Sequence, residues 1–204
     1  MAISMYSTLV PMAKSLLGGL SNVLGKAAEH AKAKGFDESV LVGDRLAPDM
    51  FALARQVQIA TDQVKGGAAR LAGVEIPAFA DDEKTIAELQ ARIAKTLAFL
   101  DTLTPAQIDG SEDKEVVLKM RAGDMTFTGQ RYLIGFVIPN LTFHCATAYN
   151  LLRHNGVEIG KRDFLGAFYA LSVIDEDGII EVVNHTNKQR ARGCQARLSA
   201  SDIL

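Results

Sequence analysis

Apolar residues recur at helical spacing through most of the chain. Met5, Leu9, Met12, Leu16, Leu20, Val23 and Ala27 lie three or four apart and mark the inner face of a first long helix. Pro11 falls inside this run and predicts a kink or an early break. "AKAKG" closes it, with lysines suited to a helix C-terminus and Gly35 as the stop. "FDESVLVGDRLAPDM" reads as a connection with one short helical turn. A second helix is predicted from Pro48, a favoured first-turn residue, to Gly73, with Leu53, Val57, Ala60, Val64, Ala68 and Leu71 as its stripe. "GVEIPAFADD" reads as a loop, and Asp82 as the N-cap of a third helix. In that helix Ile86, Leu89, Ile93, Leu97 and Leu100 face inward. Glu83, Lys84, Glu88, Arg92 and Lys95 are expected to face water, with Glu88 and Arg92 spaced as an i,i+4 ion pair.

The period then changes. Val116, Leu118 and Met120 alternate with Val117 and Lys119, "RAGD" reads as a turn and "MTF" as a return strand, so a small β-hairpin is predicted. Helical spacing resumes from Gly129 to His154, and Asn155-Gly156 ends it. Pro139 interrupts this fourth helix. The carbonyl its ring would crowd belongs to Gly135, which eases the clash, leaves a carbonyl without its donor and predicts a bend. The expected fold is all-α: a four-helix bundle over residues 1–166 with a small hairpin before its fourth helix. Residues 167–204 form a separate extension. There "LSVIDEDGIIEVV" suggests a second hairpin around Glu-Asp-Gly, and the polar, basic end suggests flexibility.

Composition narrows the function classes. The chain has 204 residues, enough for a full-sized core, and 48% are apolar. Its net charge of −2 speaks against a broad basic face for nucleic acid. Cys145 and Cys194 are too few for a disulfide scaffold, and Cys145 sits in a helical pattern that favours a buried thiol. The N-terminus lacks a charged start before its apolar run, so no signal peptide is expected. The most apolar window, "YLIGFVIPNLTF", is about half of what a bilayer span needs, so a cytoplasmic protein with no membrane partner is expected. No Gly-rich phosphate loop, nucleophile elbow, paired-cysteine zinc motif or H-E-x-x-H occurs.

Candidate chemistry gathers in "NLTFHCATAYNLLRHNG", residues 140–156. Val137, Asn140, His144, Ala148 and Leu151 share one helix face, with Asn140 and His144 one turn apart, roughly 6 Å along the axis. A polar group on an inward face needs a partner, because burying it unpaired costs about 1–3 kcal/mol. His144 is therefore either a hydrogen-bonded core residue or part of a pocket where it holds a metal or moves a proton. His154 precedes the Asn-Gly stop and suits a helix C-terminus. His30 lies near another helix end, where exposure is expected, and His185 lies in the extension. Tyr132, Phe143 and Tyr149 read as core or interface aromatics, and Arg55 is long enough to reach a pocket mouth. In "GKRDFLG", Asp163 and Phe164 could fix the chain after the fourth helix.

Three segments carry a resemblance: "LAPDMFALARQVQIATDQVKGGAARLAG", "TFTGQRYLIGFVIPNLTFH" and "AYNLLRHNGVEIGKRDFLG". Together, over about residues 3–166, the chain resembles the domain of unknown function numbered nineteen ninety-three, among the DinB-like (YfiT-like) four-helix bundles. Members of that superfamily often bind nickel or zinc through three histidines, one on the second helix and two in an H-x-x-x-H on the fourth. The resemblance puts His144 at the second of the latter pair, Asn140 at the first and Gln58 at the second-helix position. Neutral amides are poor ligands for these metals, so one histidine and two amides imply a degenerate site. The amides and the imidazole could instead satisfy one another. No tightly bound cofactor is expected; a weak nickel or zinc site would use His144 with Gln58, Asn140 or Asp62. The reading is a homodimeric, uncharacterised bundle that binds a small molecule near Gln58, Asn140 and His144. The alternatives are a divalent-metal-dependent enzyme of the thiol-transferase or isomerase type, and a structural or interaction protein with a filled pocket.

Overall fold

A computed structural model describes residues 3–120, 123–166, 172–174 and 180–182. Contacts divide the chain into two units, Met1–Ala167 and Phe168–Leu204. In the first, α1 (Met5–Lys34) starts at a Ser4 capping box and ends at Gly35, whose φ of 75° gives the left-handed cap a glycine favours. Pro11 lies inside α1 without ending it. The short helix α2 (Ser39–Gly43) leads to α3 (Leu53–Ala72), closed by Gly73 at φ 71°.

The predicted start of α3 at Pro48 is corrected. Residues 47–50 form a turn, with Met50 N–H donating to the Ala47 carbonyl, and Leu53 N–H donates back to Asp44. Pro48 here shapes a turn rather than a first helical turn. The start of α4 (Ile86–Asp101) is corrected as well. Its cap is Thr85, whose side chain accepts from Glu88 N–H while Glu88 reaches back to the Thr85 and Lys84 backbone N–H groups. Threonine with glutamate three residues on is a full capping box, which Asp82 lacks.

After the one-turn α5 (Pro105–Ile108) come β1 (Glu115–Met120) and β2 (Gly123–Thr128), antiparallel with Leu118 opposite Met125. Val116 and Leu118 are buried, whereas Met120 is exposed. The fourth helical segment comprises α6 (Gly129–Tyr132), a π-helical turn (Leu133–Val137) and α7 (Ile138–His154). The bend predicted at Pro139 is thus a π-turn. Ile138 N–H bonds to Leu133, five residues back, just before the proline that cannot donate. Helix α8 (Lys161–Leu165) follows the Asn155-Gly156 stop.

Helices α1, α4, α3 and α7 pack in that order around a square, with α7 returning to α1. The α3 stripe predicted from sequence is wholly buried, as are Leu9, Leu20, Val23, Ile93 and Leu151. At the α3–α7 seam an added Cβ on Gly67 would stand 2.7 Å from Val137, so only glycine allows that approach. In the second unit, β3 (Ser172–Ile174) pairs antiparallel with β4 (Ile180–Val182), the strands expected around Glu-Asp-Gly. The connection between them, residues 183–204 and the hairpin turn 121–122 lie outside the described residues, as do His185 and Cys194.

Candidate functional site

His144 projects inward from α7 and is 8% exposed. Its Nδ1 lies 2.7 Å from Gln56 Oε1 on α3. The Gln56 amide is oriented by its other end, since Nε2 donates to the Phe51 carbonyl at 3.1 Å. Oε1 therefore accepts, Nδ1 carries the proton, and Nε2 is the lone-pair nitrogen of the neutral ring. Burial lowers the His144 pKa below its usual 6.5, and the Arg55 guanidinium lowers it further. Among the described residues Nε2 has no hydrogen-bond partner, and the only fully buried side-chain polar atom left unpaired is Ser111 Oγ, so Nε2 keeps contact with solvent. The Phe143 ring stands edge-on to His144 at 5.1 Å. Phe143 is 57% exposed, a large apolar group left open beside a buried imidazole, and Phe51, whose carbonyl holds Gln56, is 56% exposed.

The other residues singled out from sequence are committed elsewhere. Asn140 Nδ2 donates to the Phe136 carbonyl at 2.7 Å, capping the backbone at the π-turn. Gln58 accepts from Arg55 at 3.1 Å and donates to Glu83 at 2.9 Å. Asp62 takes ion pairs from Arg92 at 2.8 Å and Lys65 at 3.0 Å. The amide partner of His144 is thus Gln56, not Asn140 or Gln58.

A second polar centre lies beside it, and it overturns the expectation for Arg92. This residue is 2% exposed, and each of its five N–H groups has an acceptor. Nε donates to Thr61 Oγ1 at 2.8 Å. Nη1 donates to the Ala80 carbonyl at 2.7 Å and to Glu83 at 2.9 Å. Nη2 pairs with Asp62 at 2.8 Å and Asp81 at 3.0 Å. Arg92 makes no pair with Glu88, which is engaged in the α4 cap. Phe79 sits under Lys65, 3.9 Å from the ring centroid, with Arg92 at 5.5 Å. The guanidinium therefore ties residues 79–83 to α3 and α4. Burial alone would raise the Glu83 pKa, but bonds from Arg92 and Gln58 outweigh it and hold the carboxyl below its ordinary value. Asp81 is held low in the same way by Arg55 and Arg92.

These partners bear on the fit of a metal through their chemistry. Nickel and zinc sites need several imidazole, thiolate or carboxylate donors around one point. Among the described residues no group of three histidine, cysteine, aspartate or glutamate side chains can hold an ion. Asp62, the nearest carboxylate candidate by sequence, is neutralised by two cations. The residues do not fit a tightly held transition metal.

The remaining expectations resolve individually. His154 is exposed in the last turn of α7. His30 is half-buried rather than exposed, edge-on to Phe36 at 6.0 Å. Tyr132 is buried, accepts from Arg70 at 3.2 Å and stacks on Phe136. Asp163 and Phe164 do fix the chain after α7. Asp163 pairs with Lys26 at 2.6 Å, and Phe164 meets Tyr149 edge-on at 5.8 Å. Burial pushes the Cys145 thiol up to about 12, so it is no nucleophile.

Sequence reasoning missed Gln56 and Arg92, although the signal was present. Gln56 lies three residues after Leu53 and four before Ala60, on the buried stripe; Arg92 stands likewise between Leu89 and Thr96. Arg92 is placed outward by residue type rather than by phase, and Gln56 carries no reading from the sequence.

A family described as a domain of unknown function (DUF1993) matches residues 5–165. Among solved structures, a DinB family member protein from Shewanella denitrificans is similar, with a TM-score of 0.75 and 40% identity over 82% of this chain and 95% of that one. No curated protein matches the chain. No described helix is long and apolar enough to cross a membrane. With the bundle, the hairpin before its fourth helix and the match along nearly all of the first unit, the chain belongs to the DUF1993 family of DinB-like helical bundles.

Proposed function

We propose that this protein binds a small organic acid bearing a hydroxyl or thiol donor, over His144, without a tightly held metal. The observation that carries this reading is the Gln56–His144 pair, which fixes the tautomer and leaves Nε2 as a solvent-touched acceptor in a buried, neutral ring. A ligand hydroxyl or thiol donates to that nitrogen. Arg55 uses only Nη1 among the described residues, toward Gln58 and Asp81, which leaves Nε and Nη2 for a carboxylate. Phe51 and Phe143 supply apolar surface at the mouth.

Thermal stabilisation by hydroxy, mercapto and plain carboxylic acids tests this, with mandelate as the reference probe. A ligand at 100 times its Kd stabilises by about 2.7 kcal/mol, a Tm rise of roughly 5–10 °C for a chain of this size. The rise should vanish in Arg55→Gln and His144→Phe, and plain acids should give less. A flat response across all three classes would instead favour a bundle with a filled site. Metal analysis of untagged protein should find substoichiometric nickel and zinc; a full equivalent would sink the metal-free reading.

A further inference from the structure

A cavity of about 660 Å³ lies between the β-hairpin and the start of the fourth helical segment, and His144 is not among the residues that line it. Asp113, Glu115, Thr126, Phe127, Arg131 and Gly135 contribute to its wall. Arg92, Lys26, Lys14 and Arg55 hold carboxylates elsewhere in the bundle. Asp113, Glu115 and Arg131 have no hydrogen-bond or ion-pair partner among the described residues. Glu115 faces Thr128 across the strands, a neutral neighbour. Two free carboxylates and one free guanidinium thus share one concave surface. Phe127 belongs to a ring cluster with Tyr132 and Phe136, at centroid distances of 5.8 and 5.7 Å, and is only half-buried, which leaves apolar aromatic surface at the cavity. Gly135, which has no side chain to fill the space, lies on the same wall.

We infer that this cavity binds a zwitterionic amine of amino-acid size. The ligand's ammonium lies toward Asp113 and Glu115, its acid group on Arg131 and its apolar body on Phe127. Acceptors outnumber donors, which selects for an ammonium; the single guanidinium selects for an acid on the same molecule. The volume falls within the range of small-ligand pockets.

The test is an amide NMR titration with three probes: L-phenylalanine, phenethylamine and 3-phenylpropionate. L-Phenylalanine should shift the Thr126–Arg131 amides saturably. The probes lacking the acid or the amine should bind at least about tenfold more weakly, the equivalent of one lost charged contact. Asp113→Asn with Glu115→Gln, and separately Arg131→Gln, should each weaken L-phenylalanine binding by a similar factor. These side chains are exposed and unpaired, so the variants keep the fold. Absence of saturable shifts, equal binding of all three probes, or binding indifferent to the substitutions would each overturn the inference.

Discussion

Replacing Arg92 with methionine tests the largest departure of this fold from its sequence pattern. The substitution keeps an unbranched apolar stem out to about the position of Nε and removes all five donors. The cost divides unevenly. Asp62 and Asp81 are 37% and 42% exposed and retain Lys65 and Arg55, so water and those cations re-solvate them at little cost. Glu83 is 10% exposed and keeps only Gln58. Losing a hydrogen bond to a buried charged group costs about 1.5–3 kcal/mol, and the Thr61 and Ala80 acceptors add about 1 kcal/mol between them. The sum, about 2.5–4 kcal/mol, overlaps the low end of the range for removing one partner of a buried ion pair. It corresponds to a Tm fall of roughly 10 °C. Urea denaturation followed by circular dichroism measures it. Trypsin adds a local readout, because exposed Lys84 adjoins the tethered stretch and should be cut faster in the variant. The double variant Arg92→Met with Glu83→Gln removes the stranded charge, so it should recover at least about 1 kcal/mol against Arg92→Met alone. A loss below about 1 kcal/mol, or a double variant no better than the single one, would refute the account.

Other consequences follow from the same geometry. Because the folded His144 pKa is depressed, the unfolded chain binds more protons just below pH 6.5. Stability should fall as pH drops from 6.5 toward the folded value, and His144→Gln should flatten that part of the urea-midpoint profile. Glu83 acts in a lower window: its folded pKa is depressed from 4.5, so its contribution is present above 4.5 and is lost as pH falls through the folded value, and Glu83→Gln should remove that loss. In a Cys194→Ser background Cys145 should resist a thiol reagent at pH 8 in the native state and react on addition of urea; fast native labelling would contradict its burial. Gly19→Ala places a Cβ 2.5 Å from the Phe164 carbonyl, so α8 must move. A loss of about 1–3 kcal/mol and faster tryptic cleavage at Lys161 are expected, and an unchanged digest would argue against close docking.

The fold was legible because its signals are periodic and redundant. Seven apolar residues at helical spacing predict α1 even through Pro11, and alternation around Val116 and Leu118 marks the hairpin. Boundaries were less legible, since they turn on single hydrogen bonds. Pro48 and Asp82 show this: each is a favoured residue taken alone and each misplaces a helix start, whereas α4 begins at the reciprocal cap of Thr85 and Glu88.

The polar interior was read least well, for a physical reason. The resemblance aligns His144 with Asn140 and Gln58, the positions of metal ligands on α3 and α7. A buried imidazole takes whichever amide lies across the helix seam in the right phase, and that phase belongs to Gln56. Once Gln56 holds His144, the neighbouring amide of Gln58 is free to bridge Arg55 and Glu83. Arg92 then completes the charge set around residues 79–83. What stands at the aligned metal-site positions is therefore two separate hydrogen-bonded devices: one structural and fully satisfied, and one with a single ring nitrogen left over. The nitrogen without a partner among the described residues, rather than the alignment to a ligand triad, is the feature on which the proposed binding rests.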